Sequence, residues 1–428
     1  MGKETGTGIW YKLDLSAIVY PTLQRRDFSS VYRLSVMLKE EIRPDVLQLA
    51  LDKTLQRFPT YKAAIRKGLF WRYLEPNNRP GPFVQKDVQN PCQPMHFKTN
   101  NRYLVRVYYH RNRIALEAHH SLGDGTGGMY VLQTLTATYL RLLGHTEIEN
   151  GGFVLDIDSK PDPEELEDAY MRYANAKVCP PRPGEKTYRV RGTKEPFYTL
   201  NIIDGIMSVS EVMAVAKKYH ATITEYLNAV LLQALLTRQE TENPRSYKPV
   251  RIAMPVNLRR FFPSRTLRNF ITMIYPGVDP RLGDYSFEEI VQHVHHYMRY
   301  YLNEKMLRGD ITTNAATQRN PLIRIVPLFI KDYVVRLFYT KVQDKNSSAG
   351  LTNMGAVKVP DSMKPYIERF DIYMGQPFSS RTNCAIISFQ DVLTVNFASS
   401  IVESDVEQYF FTHLVKDGIH VKIESNRA

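Results

Sequence analysis

Cysteine and long apolar runs are scarce in this sequence, and each shortage excludes a class of protein. The three cysteines, Cys92, Cys179 and Cys384, stand far apart in a chain of 428 residues. An odd, scattered set fits neither a disulfide framework nor a zinc site, and it favours a reducing, cytoplasmic location. The N-terminal residues contain no uninterrupted apolar segment, so no signal peptide is predicted.

The most apolar later segment, residues 322–338, does not predict a membrane span. It carries four charged residues, Arg324, Lys331, Asp332 and Arg336. Charges at this density are costly in the hydrocarbon region of a bilayer. We therefore predict an amphipathic or buried helix here, and no span.

Positive charge is abundant and partly clustered, with a formal net charge of +12. Residues 245–268 contain no acid and seven basic residues, namely Arg245, Lys248, Arg251, Arg259, Arg260, Arg265 and Arg268. No pattern typical of an RNA-recognition motif, zinc finger or basic zipper accompanies them, so a nucleic-acid partner is not expected. A solvated basic face and a site for a phosphate-rich cosubstrate both remain open.

The length and one change in composition predict two domains. A chain of this size exceeds one ordinary core and suits two domains of roughly 200 residues each. Residues 144–196 are rich in proline, glycine and charge, with an acidic middle. We predict an N-terminal domain over residues 1–150, a linker over 151–196 with a short helix at 163–176, and a C-terminal domain over 197–428.

Periodic patterns predict strands and helices in both halves. In the first half they indicate a strand at 32–38, a helix at 45–58, a hairpin of 103–109 with 114–119, and a helix after Gly125. In the second half, strands are predicted at 250–256, 385–389 and 392–397. Four helix starts are marked by Ser or Thr followed three residues later by Glu: Ser208/Glu211, Thr222/Glu225, Ser286/Glu289 and Ser404/Glu407. The predicted class is α/β or α+β, with sheets covered by helices.

The segment LEAHHSLGDGTGG lies between a predicted strand and a predicted helix, and two interpretations compete for it. Gly123, Gly125 and Gly128 fit the GxGxxG pattern of dinucleotide-binding turns. Against this, no clear second strand follows, and the acid expected at its end is missing. The pattern alone is weak evidence.

The polar residues of the same segment favour acid–base chemistry. His119 and His120 end a strand, so their side chains point to opposite faces, and one can face a cavity. A histidine is suited to proton abstraction near neutral pH. Asp124 follows in a tight turn, where it can hold the turn or pair with a distant arginine. Gly125 leaves room for the close approach of a backbone or ligand.

The residues HHSLGDG resemble the HHxxxDG active-site motif of the chloramphenicol acetyltransferase-like superfamily. That group includes condensation domains of peptide synthetases, wax ester synthases, polyketide-associated acyltransferases and bacterial alcohol acetyltransferases. Two other segments resemble the family more weakly: MPVNLRRFFPSRTLRNF at 254–270 and GLTNMG at 350–355. The DFGWG motif of the plant branch is absent.

This resemblance implies two chloramphenicol acetyltransferase-like domains, an α+β sandwich fold, with a tunnel between them. It implies transfer of an acyl group from an acyl-CoA thioester to a small alcohol, amine or thiol. No bound cofactor and no metal are implied. The alcohol O-acetyltransferase-like enzymes are the nearest functional analogy.

The resemblance also implies roles for individual residues. His120 would be the general base, with Asp124 a structural partner of Arg259 or Arg260, and Gly125 a wall of the tunnel. His119 would pack inward. Arg260 and Asn353 would contact the substrate, and Asn353 is also a candidate oxyanion donor.

Other functions stay open beside this one. A condensation-type enzyme with substrates bound to a carrier protein and a non-catalytic binding protein would share the fold. Two further candidates are disfavoured: His293 and His296 lack a third metal ligand at suitable spacing, and Ser121 lacks the GxSxG context of a nucleophile.

Overall fold

The computed structural model describes residues 3–5, 8–24, 28–175, 186–197, 199–242, 247–341, 346–375 and 381–427. Side chains are described for most of these residues. Residues 176–185 of the predicted linker, including Cys179, lie outside the described residues, as does Arg245. Cys92 and Cys384 are free and buried.

Strands are distributed along the whole described chain. In chain order they are β1 Lys3–Thr5, β2 Gly8–Lys12, β3 Val31–Leu38, β4 Ala63–Lys67, β5 Arg72–Pro76, β6 Val84–Lys86, β7 Val105–His110, β8 Arg113–His119, β9 Asn201–Ser208, β10 Val250–Asn257, β11 Ile271–Ile274, β12 Gly277–Val278, β13 Ala349–Ala356, β14 Ile367–Met374, β15 Thr382–Phe389, β16 Val392–Ser399 and β17 Lys422–Ser425.

Helices alternate with these strands, which gives the mixed class that the sequence predicts. The α-helices are α1 Tyr20–Leu23, α2 Pro44–Arg57, α3 Gly125–Leu142, α4 Ala169–Tyr173, α5 Val209–Lys218, α6 Ile223–Glu242, α7 Phe287–Tyr301, α8 Glu304–Arg319, α9 Pro321–Ile325, α10 Leu328–Lys341 and α11 Asp405–Lys416.

The strands form three sheets. The first has the order β1-β2-β5-β4, the second β14-β3-β8-β7-β6, and the third β11-β10-β13-β15-β16-β9-β17 with β12 beside β10. Two hydrophobic cores accompany them, one around β3, β8, α2 and α3 and the other around α6, β10 and β16. Both cores are large enough to order a domain each.

One strand does not follow the predicted division of the chain. β14 comes from the C-terminal segment, yet it pairs antiparallel with β3, with Ile372 opposite Leu34. Its residues Phe370 and Ile372 are buried in the first core. The predicted boundary at residue 196 divides the sequence, but β14, which lies beyond that boundary, pairs with β3 of the second sheet.

The elements that carry the histidine motif form where the sequence predicts them. β7 and β8 are an antiparallel hairpin, and its turn is shorter than expected, with Arg111 at a positive φ of 49°. α3 begins at Gly125, directly after the N-cap residue Asp124. The strand, the turn and the helix together place residues 119–125 at the C-terminal end of β8, the central strand of the second sheet.

The predicted helix starts in the second half are correct, but one lacks its cap. Thr222 and Ser286 make both bonds of the capping box, and the hydroxyl of Ser208 accepts from the amide of Glu211. Ser404 makes no side-chain cap bond. The carboxylate of Glu407 instead accepts from the hydroxyl of Thr382, which satisfies it inside the core.

Two other helix predictions need correction. The linker helix is broken into a 3-10 turn at Pro163–Leu166 and the short α4, because Glu167 and Asp168 leave the helical conformation. The single helix expected over 322–338 is two, α9 and α10, separated at Pro327, which has no amide proton to continue a helix. It is also not buried: Leu322, Phe329 and Tyr333 are exposed.

Candidate active site

The two histidines of the motif point in opposite directions, as residues at a strand end do. His119 pairs with Val31 of β3 and is fully buried, with its Nδ1 accepting from the amide of Ser121 at 3.2 Å. Burial and the neighbouring His120 lower the pKa of His119 to about 3. His120 is only partly buried, so of the two residues it is the one that keeps some solvent-accessible surface.

Two tyrosines hold the ring of His120. Tyr20 is stacked on it, with ring centroids 4.7 Å apart and an interplanar angle of 20°. Tyr32 lies at the same centroid distance with a tilt of 49°. The hydroxyl of Tyr32 donates to the carbonyl oxygen of Asp124 at 3.0 Å. Tyr32 is therefore bound to the turn that follows His120.

Burial sets the protonation state of His120. It lowers the pKa of His120 to about 4, although the nearby Asp124 carboxylate acts in the opposite direction. The imidazole is therefore neutral at pH 7, the form that can accept a proton. Nδ1 of His120 is buried, and the side chain of Asn269 beside the ring raises its pKa against the effect of burial. This leaves Nε2 as the nitrogen available to a substrate.

Asp124 holds together the turn and the second half of the chain. One carboxylate oxygen accepts from the amide of Gly127 at 3.1 Å, which caps α3. The other accepts from Arg259 Nη1 at 2.8 Å and from the amide of Phe270 at 2.9 Å. The structure thus places Arg259, and not Arg260, on Asp124, and both side chains of this pair are largely buried.

Arg259 has its donors occupied within the protein. Besides Asp124, it donates to the carbonyl oxygens of Thr266 at 3.0 Å and Arg268 at 2.5 Å, and to the side-chain oxygen of Asn257 at 3.2 Å. A guanidinium with this many internal acceptors is a structural group. Its function is to fix the loop after β10 against the histidine motif.

The structure adds a residue that the sequence analysis missed. Asn269 Nδ2 donates to the carbonyl oxygen of His120 at 2.8 Å and to the buried carboxylate of Asp14 at 3.0 Å. Asp14 also lies 3.6 Å from Arg268 Nη2. Asn269 stands inside the segment 254–270 that resembles the family, but no periodicity marks it. Asp14, Tyr20 and Tyr32 have no sequence signal of their own.

Protein atoms fill the space beside the glycines of this turn, which argues against the dinucleotide interpretation. A Cβ on Gly123 would lie 2.5 Å from the carbonyl oxygen of Leu267, and one on Gly127 would collide with the same atom. A Cβ on Gly128 would meet the ring of Tyr32. β8 is also antiparallel to both of its neighbours, whereas a dinucleotide-binding turn follows a parallel strand.

The remaining predicted residues lie near the motif on the other half of the chain. A Cβ on Gly125 would lie 2.9 Å from Met354 Sδ of β13, and Arg260 is exposed beside Gly355. Asn353 Nδ2 donates to the hydroxyl of Thr224 at 2.7 Å, and its oxygen accepts from Gly355. Its oxygen and one of its two N–H donors thus already have partners within the protein. The tunnel and the substrate contacts stay predictions.

The basic segment 245–268 is not one solvated face. Arg259 and Arg268 are internal, and Arg265 forms an exposed ion pair with Asp162 at 2.9 Å. Arg260 is exposed and forms no ion pair with a described residue. Of the arginines between 259 and 268, Arg260 is therefore the one best placed to meet an anionic ligand.

The described part of the chain offers neither a cluster of metal ligands nor a membrane-spanning helix. No group of three or more His, Cys, Asp or Glu side chains within the described ranges could hold a metal ion. His295 instead faces Glu225 at 3.2 Å. None of the described helices combines the length and the apolar character needed to cross a bilayer.

Known structures share the whole architecture. TRI101 of F. sporotrichioides, complexed with coenzyme A and T-2, superimposes with a TM-score of 0.62 over 98% of this chain and 100% of that one, at 12% identity. The chain has the chloramphenicol acetyltransferase-like fold. No protein-family model matches the sequence, and no curated protein matches it.

Two other structures extend this likeness of fold. The starter condensation domain of rhizomide synthetase RzmA, in complex with C8-CoA and Leu-SNAC, gives a TM-score of 0.61 at 10% identity, covering 96% of this chain and 94% of that one. Polyketide synthase associated protein 5 from Mycobacterium tuberculosis gives 0.57 at 14% identity, covering 94% and 96%. The fold is thus that of two-domain acyltransferases and condensation domains.

Proposed function

We propose that this protein is an acyl-CoA-dependent acyltransferase in which His120 is the general base. The observation that carries the proposal is the neutral, partly accessible imidazole of His120, stacked on Tyr20 beside the Asp124–Arg259 pair. The complexes of TRI101 with coenzyme A and T-2 and of RzmA with C8-CoA support a thioester donor and a small acceptor.

The proposed reaction needs one base and no acyl-enzyme intermediate. His120 Nε2 takes the proton of the acceptor hydroxyl as its oxygen attacks the thioester carbonyl carbon. The tetrahedral intermediate collapses, the carbon–sulfur bond breaks, and the thiolate leaves with the proton from the imidazolium. The products are an ester and free coenzyme A. An amine or thiol acceptor would follow the same steps.

Other residues take supporting roles in this proposal. Asp124 and Arg259 keep the turn after His120 in place, His119 anchors the strand end, and Gly125 leaves space beside Met354. Arg260 is proposed to meet the phosphates of coenzyme A. The buried free thiols of Cys92 and Cys384 fit a reducing, cytoplasmic location.

The experiment is an assay of thiol release from a set of acyl-CoAs with alcohols and amines. Wild-type protein should release coenzyme A in an acceptor-dependent way, and His120→Ala should be slower by about 10²- to 10⁴-fold because the base is lost. His119→Ala is the matched control and should affect stability more than turnover. Equal rates for His120→Ala and wild type would contradict the mechanism.

The same assay decides between donors, because condensation domains share the fold. Free coenzyme A should compete with the acyl-CoA donor if the donor is not bound to a carrier. Turnover with an acylated carrier protein and none with acyl-CoA would favour the condensation-type alternative. Tight coenzyme A binding without turnover of any acceptor would favour a binding protein.

A further inference from the structure

An unusual apolar surface lies outside the site, on α9, α10 and the turn between β4 and β5. Its large side chains are among the most exposed in the chain: Leu322 and Phe329 at 72%, Leu69 at 69%, Ile325 at 68% and Tyr333 at 65%. Trp71 and Val334 are also exposed there. Contiguous exposed apolar residues on this scale mark an interaction surface.

Hydrogen bonds show that the two segments form one surface. The amide of Leu328 donates to the carbonyl oxygen of Leu69 at 2.8 Å. Lys331 Nζ donates to the carbonyl oxygens of Phe70 at 2.9 Å and Arg324 at 3.1 Å. The side chains of Arg72 and Asp332 add an ion pair at 2.6 Å. We call residues 67–71 together with 321–337 the apolar face.

The charges that accompany the apolar face are mostly positive. Residues 64–75 and 321–337 contain six basic side chains and two acids. Both acids are already ion-paired, Glu75 with Arg66 and Asp332 with Arg72. Lys67 and Arg324 are exposed beside the apolar side chains. Aromatic and aliphatic groups flanked by Lys and Arg are the composition of segments that lie in the interface of an anionic bilayer.

We propose that the apolar face docks the protein on an anionic lipid membrane without crossing it. The positive charge favours this occupant over a second copy of the chain. A twofold dimer through this face would bring the same basic residues of both copies together, and their repulsion would oppose it. An anionic headgroup layer neutralises them instead, while the apolar side chains enter the acyl region.

The position of the apolar face gives docking a consequence at the site. Thr22 of α1 donates to Asp332 Oδ1 at 2.9 Å and accepts from Arg336 Nε through its carbonyl oxygen at 2.8 Å. α1 begins at Tyr20, which is stacked on His120. Docking through the apolar face would therefore let apolar acceptors reach His120 from the bilayer. This consequence rests on the proposed function, whereas docking itself does not.

Cosedimentation of the full chain with vesicles tests the proposal without any substrate. Vesicles of phosphatidylcholine mixed with phosphatidylglycerol should bind the wild type, and binding should weaken as salt rises. Phe329→Glu should lower the partition coefficient roughly 10-fold or more. Phe83→Glu is the matched control, since Phe83 is 68% exposed elsewhere on the surface, and it should bind like the wild type.

Three results would overturn the proposal. The first is no binding to anionic vesicles by a wild-type protein that elutes as a folded monomer. The second is equal binding by Phe329→Glu and Phe83→Glu. The third is a wild-type dimer, measured by light scattering, that Phe329→Glu separates into monomers, which would assign the apolar face to a second copy. None of these results depends on acyl transfer, so a failure here is distinct from a failure of the proposed function.

Discussion

Asn269 donates a 2.8 Å hydrogen bond to the main-chain carbonyl oxygen of His120, across 149 residues of sequence. The same amide nitrogen is held by the carboxylate of Asp14, and the side chain of Asn269 is fully buried. The backbone of His120 is therefore fixed from the C-terminal half of the chain. Under the proposed mechanism, this contact sets the position of the base.

Replacing Asn269 should reduce turnover without weakening substrate binding. In Asn269→Ala, the carbonyl of His120 loses its donor and the ring can shift, and a misplacement of about 1 Å can cost about 10²-fold in rate. We expect a lower kcat with KM changed little, measured by steady-state kinetics. A thermal melt run in parallel separates this from unfolding: a lowered Tm with an unchanged kcat would assign Asn269 a structural role only.

The Asp124–Arg259 pair should contribute far more to stability than an exposed pair of the same type. Asp124→Asn keeps a side chain that can cap α3 but leaves Arg259 without its carboxylate, which we expect to cost about 3–5 kcal/mol in the free energy of unfolding. The matched control is Asp162→Asn, which keeps the cap on Glu164 and breaks an exposed pair with Arg265. It should cost about 0–1 kcal/mol. Urea titrations of the two variants check the difference, and equal costs would contradict the burial argument.

Gly125 and Gly127, at the start of α3, should respond differently to alanine. The methyl group of Gly127→Ala would collide with the main-chain carbonyl oxygen of Leu267, which cannot move without the loop that carries it. The methyl group of Gly125→Ala would meet the end of the flexible Met354 side chain at 2.9 Å. We expect Gly127→Ala to lower Tm strongly and Gly125→Ala to be nearly neutral in Tm. A similar loss for both would mean that Met354 is as rigid as the backbone.

The pH dependence of the rate should show a general base with a lowered pKa. Because burial lowers the pKa of His120 to about 4, the active neutral form is complete well below pH 7. The value of kcat/KM should therefore fall only as pH decreases toward about 4, with no inflection near about 6.5, the ordinary imidazole value. Kinetics between about pH 5 and 8, where folded proteins tend to be most stable, check the absence of that inflection. An inflection near 6.5 that His120→Ala removes would show that the ring is solvated during turnover.

Local patterns were enough to predict the elements around the site. The alternation in β7 and β8 indicated the hairpin, and the adjacent His119 and His120 at its end had to face opposite ways. Capping pairs such as Ser286/Glu289 identified helix starts because both bonds are made within four residues. The segment 254–270 was recognised as the source of the arginine because it resembles the family, not because its charge or spacing required it.

Contacts between distant segments could not be predicted from local sequence patterns. Asp124 and Arg259 are 135 residues apart, and nothing in the local pattern chooses Arg259 over Arg260. The choice depends on which side chain the 3-10 turn at Leu258–Arg260 directs inward. Likewise, no pattern near residue 370 shows that β14 joins β3, since its pairing depends on a free edge elsewhere in the chain.

The sequence by itself determined the chemistry that is available: a histidine at a strand end, an aspartate that can cap the next helix, and glycines where atoms must come close. These follow from steric and hydrogen-bonding rules that act within a few residues. Only the tertiary structure decided which partners they meet. Leu267 fills the space of Gly123, Asn269 binds the carbonyl of His120, and Tyr20 covers its ring, because packing two cores together, not local propensity, brings these segments into contact.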